Sequence, residues 1–198
     1  MKKFDADIHQ RRSIRLREFD YAREGAYFVT VCAQGRECLF GEVVAGLLAQ
    51  NESGGMIAAW WRKIPEKFGN ARLDEYVVMP DHFHGIIRIV GADPCVRPEF
   101  DLGVGNQGAH MGAPLPTIVQ WFKTMTTNAY IHGVHNNQWP PFSGRLWQRN
   151  YYEHILRDDN ELQQLRDYVA GNPGRWGVAN GCPENMENPG QTRGSVPT

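Results

Sequence analysis

The chain has 198 residues, 41% of them hydrophobic and 11% aromatic, which is enough for one globular domain with additional tail. No apolar run approaches the roughly 20 residues that a membrane span needs, and the charged N-terminus lacks the apolar stretch of a secretory signal. A net charge of -1 argues against a protein that coats nucleic acid indiscriminately, and four cysteines with no CxxC pair indicate neither a zinc framework nor a disulfide framework. Thiols in a reducing cytoplasm are the simplest expectation.

Residues 1–24 read as a polar, basic arm in which Lys2, Lys3, Arg11, Arg12, Arg15 and Arg17 crowd together. The folded domain is expected over residues 25–177. Residues 26–33 (AYFVTVCA) are rich in aromatic and β-branched types and predict a strand. Gln34-Gly35 is a turn signal, so residues 37–44 are expected to return as its hairpin partner. Asn51 is a suitable N-cap for a helix over residues 52–63, with Ile57, Trp60, Trp61 and Ile64 forming an apolar face and Pro65 closing it.

Residues 73–79 (LDEYVVM) predict a strand, Pro80-Asp81 a turn, and residues 82–90 (HFHGIIRIV) a further strand. The stretch 91–116 is rich in Gly and Pro without periodicity and reads as a long flexible loop. Residues 117–131 predict an amphipathic helix carrying Ile118, Trp121, Phe122 and Met125 on one face. Residues 146–155 contain a short strand. Residues 159–171 predict a helix capped by Asp158 or Asp159, with Leu162, Leu165 and Val169 as its apolar stripe. The tail over 178–198, rich in Gly, Pro and Asn, is expected to be disordered. This order of elements predicts an α+β domain, an antiparallel sheet with helices on one face.

Two constellations could carry chemistry. On a strand, residues two apart share a face, so His82 and His84 stand side by side while Phe83 points to the core with Ile87 and Ile89. Two imidazoles so placed make a bidentate metal clamp; two polar residues on an open sheet face would look the same. On a helix, Tyr168 and Asn172 are about 6 Å apart in rise and share a face. A phenol beside a carboxamide suits a nucleophile and a third metal ligand; a boundary tyrosine and a helix-terminal asparagine before Pro173 are the blander reading, and the residues alone favour it. Tyr151 and Tyr152 lie near Trp147 and read as packing. His154 could approach a phosphate, although a surface or supporting histidine is the blander reading. No P-loop, GxSxG or HExxH is present.

Taken together, residues 11–40, 73–89 (LDEYVVMPDHFHGIIRI), 118–123 (IVQWFK) and 146–176 (LWQRNYYEHILRDDNELQQLRDYVAGNPGRW) resemble the single-tyrosine HUH transposases, of the REP-associated tyrosine transposase type. The resemblance spans most of residues 11–177 outside the 91–116 loop. It implies a ferredoxin-like antiparallel sheet with helices on one face, a histidine pair on a central strand and a C-terminal helix carrying the nucleophile. By resemblance His82, His84 and Asn172 are metal ligands for Mg²⁺ or Mn²⁺, and Tyr168, four residues before the carboxamide, is the catalytic tyrosine.

The implied activity is cleavage and rejoining of single-stranded or hairpin DNA through a 5′-phosphotyrosine link, by a cytoplasmic monomer or homodimer. Candidate DNA contacts are Arg11, Arg12, Arg15, Arg149, His154 and Arg157. The rival readings are a domesticated DNA-binding protein without catalysis on the same fold and a replication-initiator-like nickase. Gly171, directly before Asn172, departs from the pattern and is expected to loosen the end of the helix.

Overall fold

The computed structural model describes residues 21, 23–91 and 112–176. The expectations for Arg11, Arg12, Arg15, for most of the 91–116 loop and for the 178–198 tail lie outside these residues. The described chain runs β1 (Gly25–Cys32), a 3₁₀ turn (Gln34–Arg36), β2 (Gly41–Val44), β3 (Leu47–Gln50), α1 (Glu52–Arg62), α2 (Ile64–Lys67), β4 (Ala71–Val78), β5 (His82–Ile89), α3 (Leu115–Asn136), β6 (Tyr152–Leu156) and α4 (Asp159–Trp176).

Four strands form one antiparallel sheet in the order β4-β5-β1-β6, and β2 with β3 forms a separate hairpin. With α1 between β1 and β4 and α3 between β5 and β6, this is the ferredoxin-like arrangement expected. β1 has β5 on one side and β6 on the other. That is why residues 37–44 do not return along β1 as expected. Both of its edges are taken, and after the 3₁₀ turn the chain leaves the sheet, so Gly41–Val44 pairs with Leu47–Gln50 instead.

The alternation of β-strand side chains sorts the sheet into two faces. Tyr27, Val29, Val31, Phe83, Ile87 and Ile89 point to the face covered by α1 and α3, in one buried cluster with Trp61, Ile118 and Phe122. Phe83 is its centre, with ring centroids 4.6 Å from Trp61 and 5.1 Å from Phe122. Gly85 follows on the same face because a Cβ there would come within 2.6 Å of the Trp61 ring. Trp121 belongs to this packing as well, edge-on to Trp60 and Phe68. Asn51 caps α1 as expected, its side chain accepting from the Gly54 N–H at 3.0 Å.

The opposite face carries α4. Phe28, Ile86 and Leu156 from the sheet pack with Leu162 and Val169 of this helix. α3 starts at Leu115 and ends at Asn136, longer at both ends than the sequence pattern indicated. Pro116 lies in its first turn, where a missing N–H removes no helical bond. No helix among the described residues is long and apolar enough to cross a membrane.

Candidate active site

The site lies between β5 and α4, on the sheet face away from Phe83. His82 and His84 are both buried, and their Nε2 atoms are 2.9 Å apart. Each Nδ1 has its own partner. His82 Nδ1 meets Asp81 Oδ1 at 2.5 Å, and Arg36 Nε lies 2.8 Å from Asp81 Oδ2. His84 Nδ1 is 2.8 Å from the hydroxyl of Thr30, its cross-strand partner on β1. Phe28 stacks on the His84 ring with centroids 5.2 Å apart.

Burial pushes His82 below the usual imidazole range, against the opposing pull of the Asp81 carboxylate. Burial also pushes His84 well below that range, and a proton on the neighbouring His82 and the charge of Arg36 each push the same way. Both rings are therefore neutral at neutral pH, which is the state that donates a lone pair to a metal.

α4 is anchored at both ends and in the middle. Asp158 caps it, its carboxylate accepting from the Glu161 N–H at 2.8 Å. At mid-helix Arg166 grips Asp74 of β4 with two bonds of 2.7 Å. The pairing of β4 with β5 shifts between Leu73 and Tyr76, and this bulge is where Asp74 stands. Bulges re-aim side chains, and here the re-aimed carboxylate faces the helix. The Arg166 guanidinium, with its two bonds, holds Asp74 below the usual carboxylate range.

Tyr168, Asn172 and Trp176 succeed one another at four-residue spacing along one line of α4. Tyr168 lies edge-on to His84, with centroids 5.4 Å apart, and Trp176 lies 5.6 Å from His82. Asn172, between them in sequence, is buried. Burial raises the Tyr168 hydroxyl above the usual phenol range, and a hydrogen bond with the Asn172 side chain, the charge of Arg175 and that of Arg36 pull it back. Arg175 itself sits 5.5 Å over the Tyr168 ring.

The helix continues through Gly171 and Pro173 to Trp176, so Gly171 does not end it as expected. Pro173 offers no N–H to the carbonyl of Val169, and the packing of Trp176 against His82 holds this last turn.

The donors fit a divalent ion. Two ligands at right angles, each about 2.1 Å from an octahedral metal, lie about 3.0 Å apart; the two Nε2 atoms are 2.9 Å apart. Among the described residues no group of three or more His, Cys, Asp or Glu side chains could hold a metal. Among the described residues a third protein donor would be of another type, such as the carboxamide of the buried Asn172.

The remaining sequence candidates fall elsewhere. His154 is on the α4 side of β6, with its Nε2 engaged by Glu161 at 2.5 Å. Arg149 and Arg157 are exposed, before and after β6. Tyr151 is buried on the far face, and Tyr152 packs in the cluster around Phe28.

Sequence reasoning missed Thr30, Arg36, Asp81 and Trp176. Asp81 was legible only as a turn residue, although an acid beside a metal-type histidine is itself a signal. Trp176 continues the spacing of Tyr168 and Asn172, but the expected end of the helix at Gly171 hid it.

No family model matches the chain. An uncharacterized protein of Haemophilus influenzae is 36% identical over 184 residues, covering 88% of this chain and 94% of that protein. The chain belongs to that protein's family. In three dimensions it is similar to a REP-associated tyrosine transposase solved bound to a REP hairpin, with a TM-score of 0.54 and 18% identity over 84% of this chain and 76% of the other. It has the fold of the REP-associated tyrosine transposases.

Proposed function

We propose that this protein is a DNA strand transferase that cuts and rejoins single strands through a covalent link to Tyr168. One observation carries the proposal: Tyr168 and Asn172 sit one turn apart on α4, and the Tyr168 ring lies against His84 of the paired imidazoles. Nucleophile and third ligand would then be set by one rigid helix against two ligands set by one rigid strand.

Transesterification needs a nucleophile in line with the leaving oxygen and stabilised charge on the phosphoryl group. The Tyr168 oxygen attacks phosphorus, a tyrosine O–P bond forms and the bond to the 3′ oxygen breaks. The phenol proton is lost, the 3′ oxygen gains one, and the 5′ phosphate remains on the enzyme. Attack by another strand's 3′ hydroxyl reverses these changes, so no nucleotide cofactor is required. His82, His84 and Asn172 would hold Mg²⁺ or Mn²⁺, which supplies polarisation of the phosphate when bound. Two histidines make Mn²⁺ a comfortable occupant. An Asn172 amide that donates its N–H to the phenol keeps its oxygen for the metal.

A phosphate inside a duplex is held away from such a pocket, so the substrate is a single strand. The structural relative is bound to a REP hairpin, and a hairpin-flanked strand is the corresponding substrate to try here. Incubation with single-stranded oligonucleotides and Mn²⁺ tests the proposal on a denaturing gel. Protein-linked DNA is expected; DNA binding without any adduct would instead indicate a non-catalytic binder on this fold.

A further inference from the structure

We infer that Asp81 and Arg36 form a positioning relay that locks the tautomer of His82, leaving His84 as the ligand that must change tautomer when the ion binds. This rests on the metal reading above.

Asp81 is wholly buried in the turn between β4 and β5. A buried carboxylate is tolerated only when paired and hydrogen-bonded. Asp81 is hydrogen-bonded through Oδ1 with His82 Nδ1, and its Oδ2 is ion-paired with Arg36 Nε at 2.8 Å without the geometry of a hydrogen bond. Its backbone is fixed too. Ala33 N–H donates to the Asp81 carbonyl at 2.8 Å, Phe40 N–H to that of Pro80 at 2.9 Å, and Met79 N–H to that of His82 at 2.8 Å.

Arg36 is held with equal care. It adopts φ +58, a left-handed conformation that side-chain-bearing residues rarely take, directly after Gly35 at φ +68. Such strain persists where the surroundings over-determine it, often at functional sites. Its guanidinium is fastened at a second point, with Nη1 2.8 Å from the sulfur of Cys32, the β1 partner of His82.

A carboxylate can only accept, so neutral His82 carries its proton on Nδ1 and presents a lone pair at Nε2. The 2.9 Å contact between the two Nε2 atoms then has one possible sense without an ion: His84 Nε2–H donates to His82 Nε2. The Thr30 hydroxyl donates to His84 Nδ1 in that state. A hydroxyl can equally accept, so it supports the alternative in which His84 is protonated at Nδ1 and both Nε2 lone pairs face a cation. His82 has a partner that permits one state, and His84 a partner that permits two. Outer carboxylates of this kind orient a ligand and raise its basicity, and losing one costs about 10- to 100-fold in metal affinity.

The test is nitrogen-15 NMR of the imidazoles in full-length, metal-free protein at neutral pH, repeated with Mg²⁺, together with calorimetric Mn²⁺ titration of wild type and Asp81→Asn. Wild-type His82 is expected as the Nδ1–H tautomer throughout, and His84 as Nε2–H without metal and Nδ1–H with it. Asp81→Asn is expected to bind Mn²⁺ about 10- to 100-fold more weakly. His82 found as Nε2–H in the wild type, or an Asp81→Asn protein with unchanged Mn²⁺ affinity, overturns the relay. The wild-type spectra decide the matter even if the variant fails to fold. Wild-type protein that takes up neither ion overturns the metal reading itself, while the metal-free tautomer of His82 still decides the lock.

Discussion

Tyr168 touches His84 ring to ring, with centroids 5.4 Å apart, although 84 positions separate them in the chain. Phe28 lies against both, stacked on His84 and edge-on to Tyr168 at 6.1 Å. The position of the phenol is thus set by aromatic packing on β1 and β5 rather than by a loop. A change that loosens α4 should therefore be felt in the chemistry before it is felt in the core.

Metal binding should depend on the helix as well as the strand. Asn172→Ala removes the proposed third donor, and Mn²⁺ affinity should fall by at least about tenfold, the lower end of what loss of a supporting partner alone costs. Adduct formation should stop in EDTA and return with excess Mn²⁺. Calorimetry of Asn172→Ala with wild-type affinity would remove this residue from the ligand set.

Asp74 should stabilise the docking of α4 in a pH-dependent way. Its folded pKa is held below the unfolded one by Arg166, so its contribution is complete above the unfolded value of about 4 and is lost as pH falls through the folded one. Asp74→Asn should lower the melting temperature at pH 7, and the gap to wild type should narrow toward pH 3. A gap that stays constant across that range would contradict the assignment.

Phe83 separates the two faces of β5. Phe83→Ala empties the contact among Trp61, Phe122 and the sheet, and should cost about 3–5 kcal/mol in urea unfolding. Mn²⁺ affinity, measured where the variant is still folded, should change little because the imidazoles point the other way. A large loss of affinity with small loss of stability would reverse the assignment of faces.

Cleavage should favour single strands and hairpin-flanked strands over plain duplex. Oligonucleotides of the same sequence, paired and unpaired, make the comparison. Equal cutting of a fully paired duplex without frayed ends would contradict the steric basis of the proposal.

Much of this was legible in the sequence because it rests on local periodicity. The HxH spacing put both imidazoles on one face, and the apolar parity of Phe83, Ile87 and Ile89 said which face was core. The four-residue offset put Tyr168 and Asn172 on one side of a helix. What local pattern could not supply was long-range. The hairpin return after residue 33 failed because β5 and β6 occupy both edges of β1, which no local window contains. The end of α4 was set too early because Gly171 and Pro173 disfavour helix, whereas Trp176 packing on His82 favours it. Arg36 and Thr30 were missed because their roles exist only through partners in distant strands and turns.

The identity of the nucleophile is the most direct point to measure. Tyr168→Phe removes one hydroxyl from a half-buried ring and should leave folding and DNA binding nearly intact. Wild type, Tyr168→Phe, Tyr151→Phe and Tyr152→Phe are each incubated with a single-stranded oligonucleotide and Mn²⁺, and any adduct is mapped by peptide mass. Adduct on Tyr168 in wild type, persistence in the Tyr151 and Tyr152 variants, and its loss in Tyr168→Phe are expected. A normal yield of tyrosine-linked DNA from Tyr168→Phe would contradict the proposed chemistry at its centre.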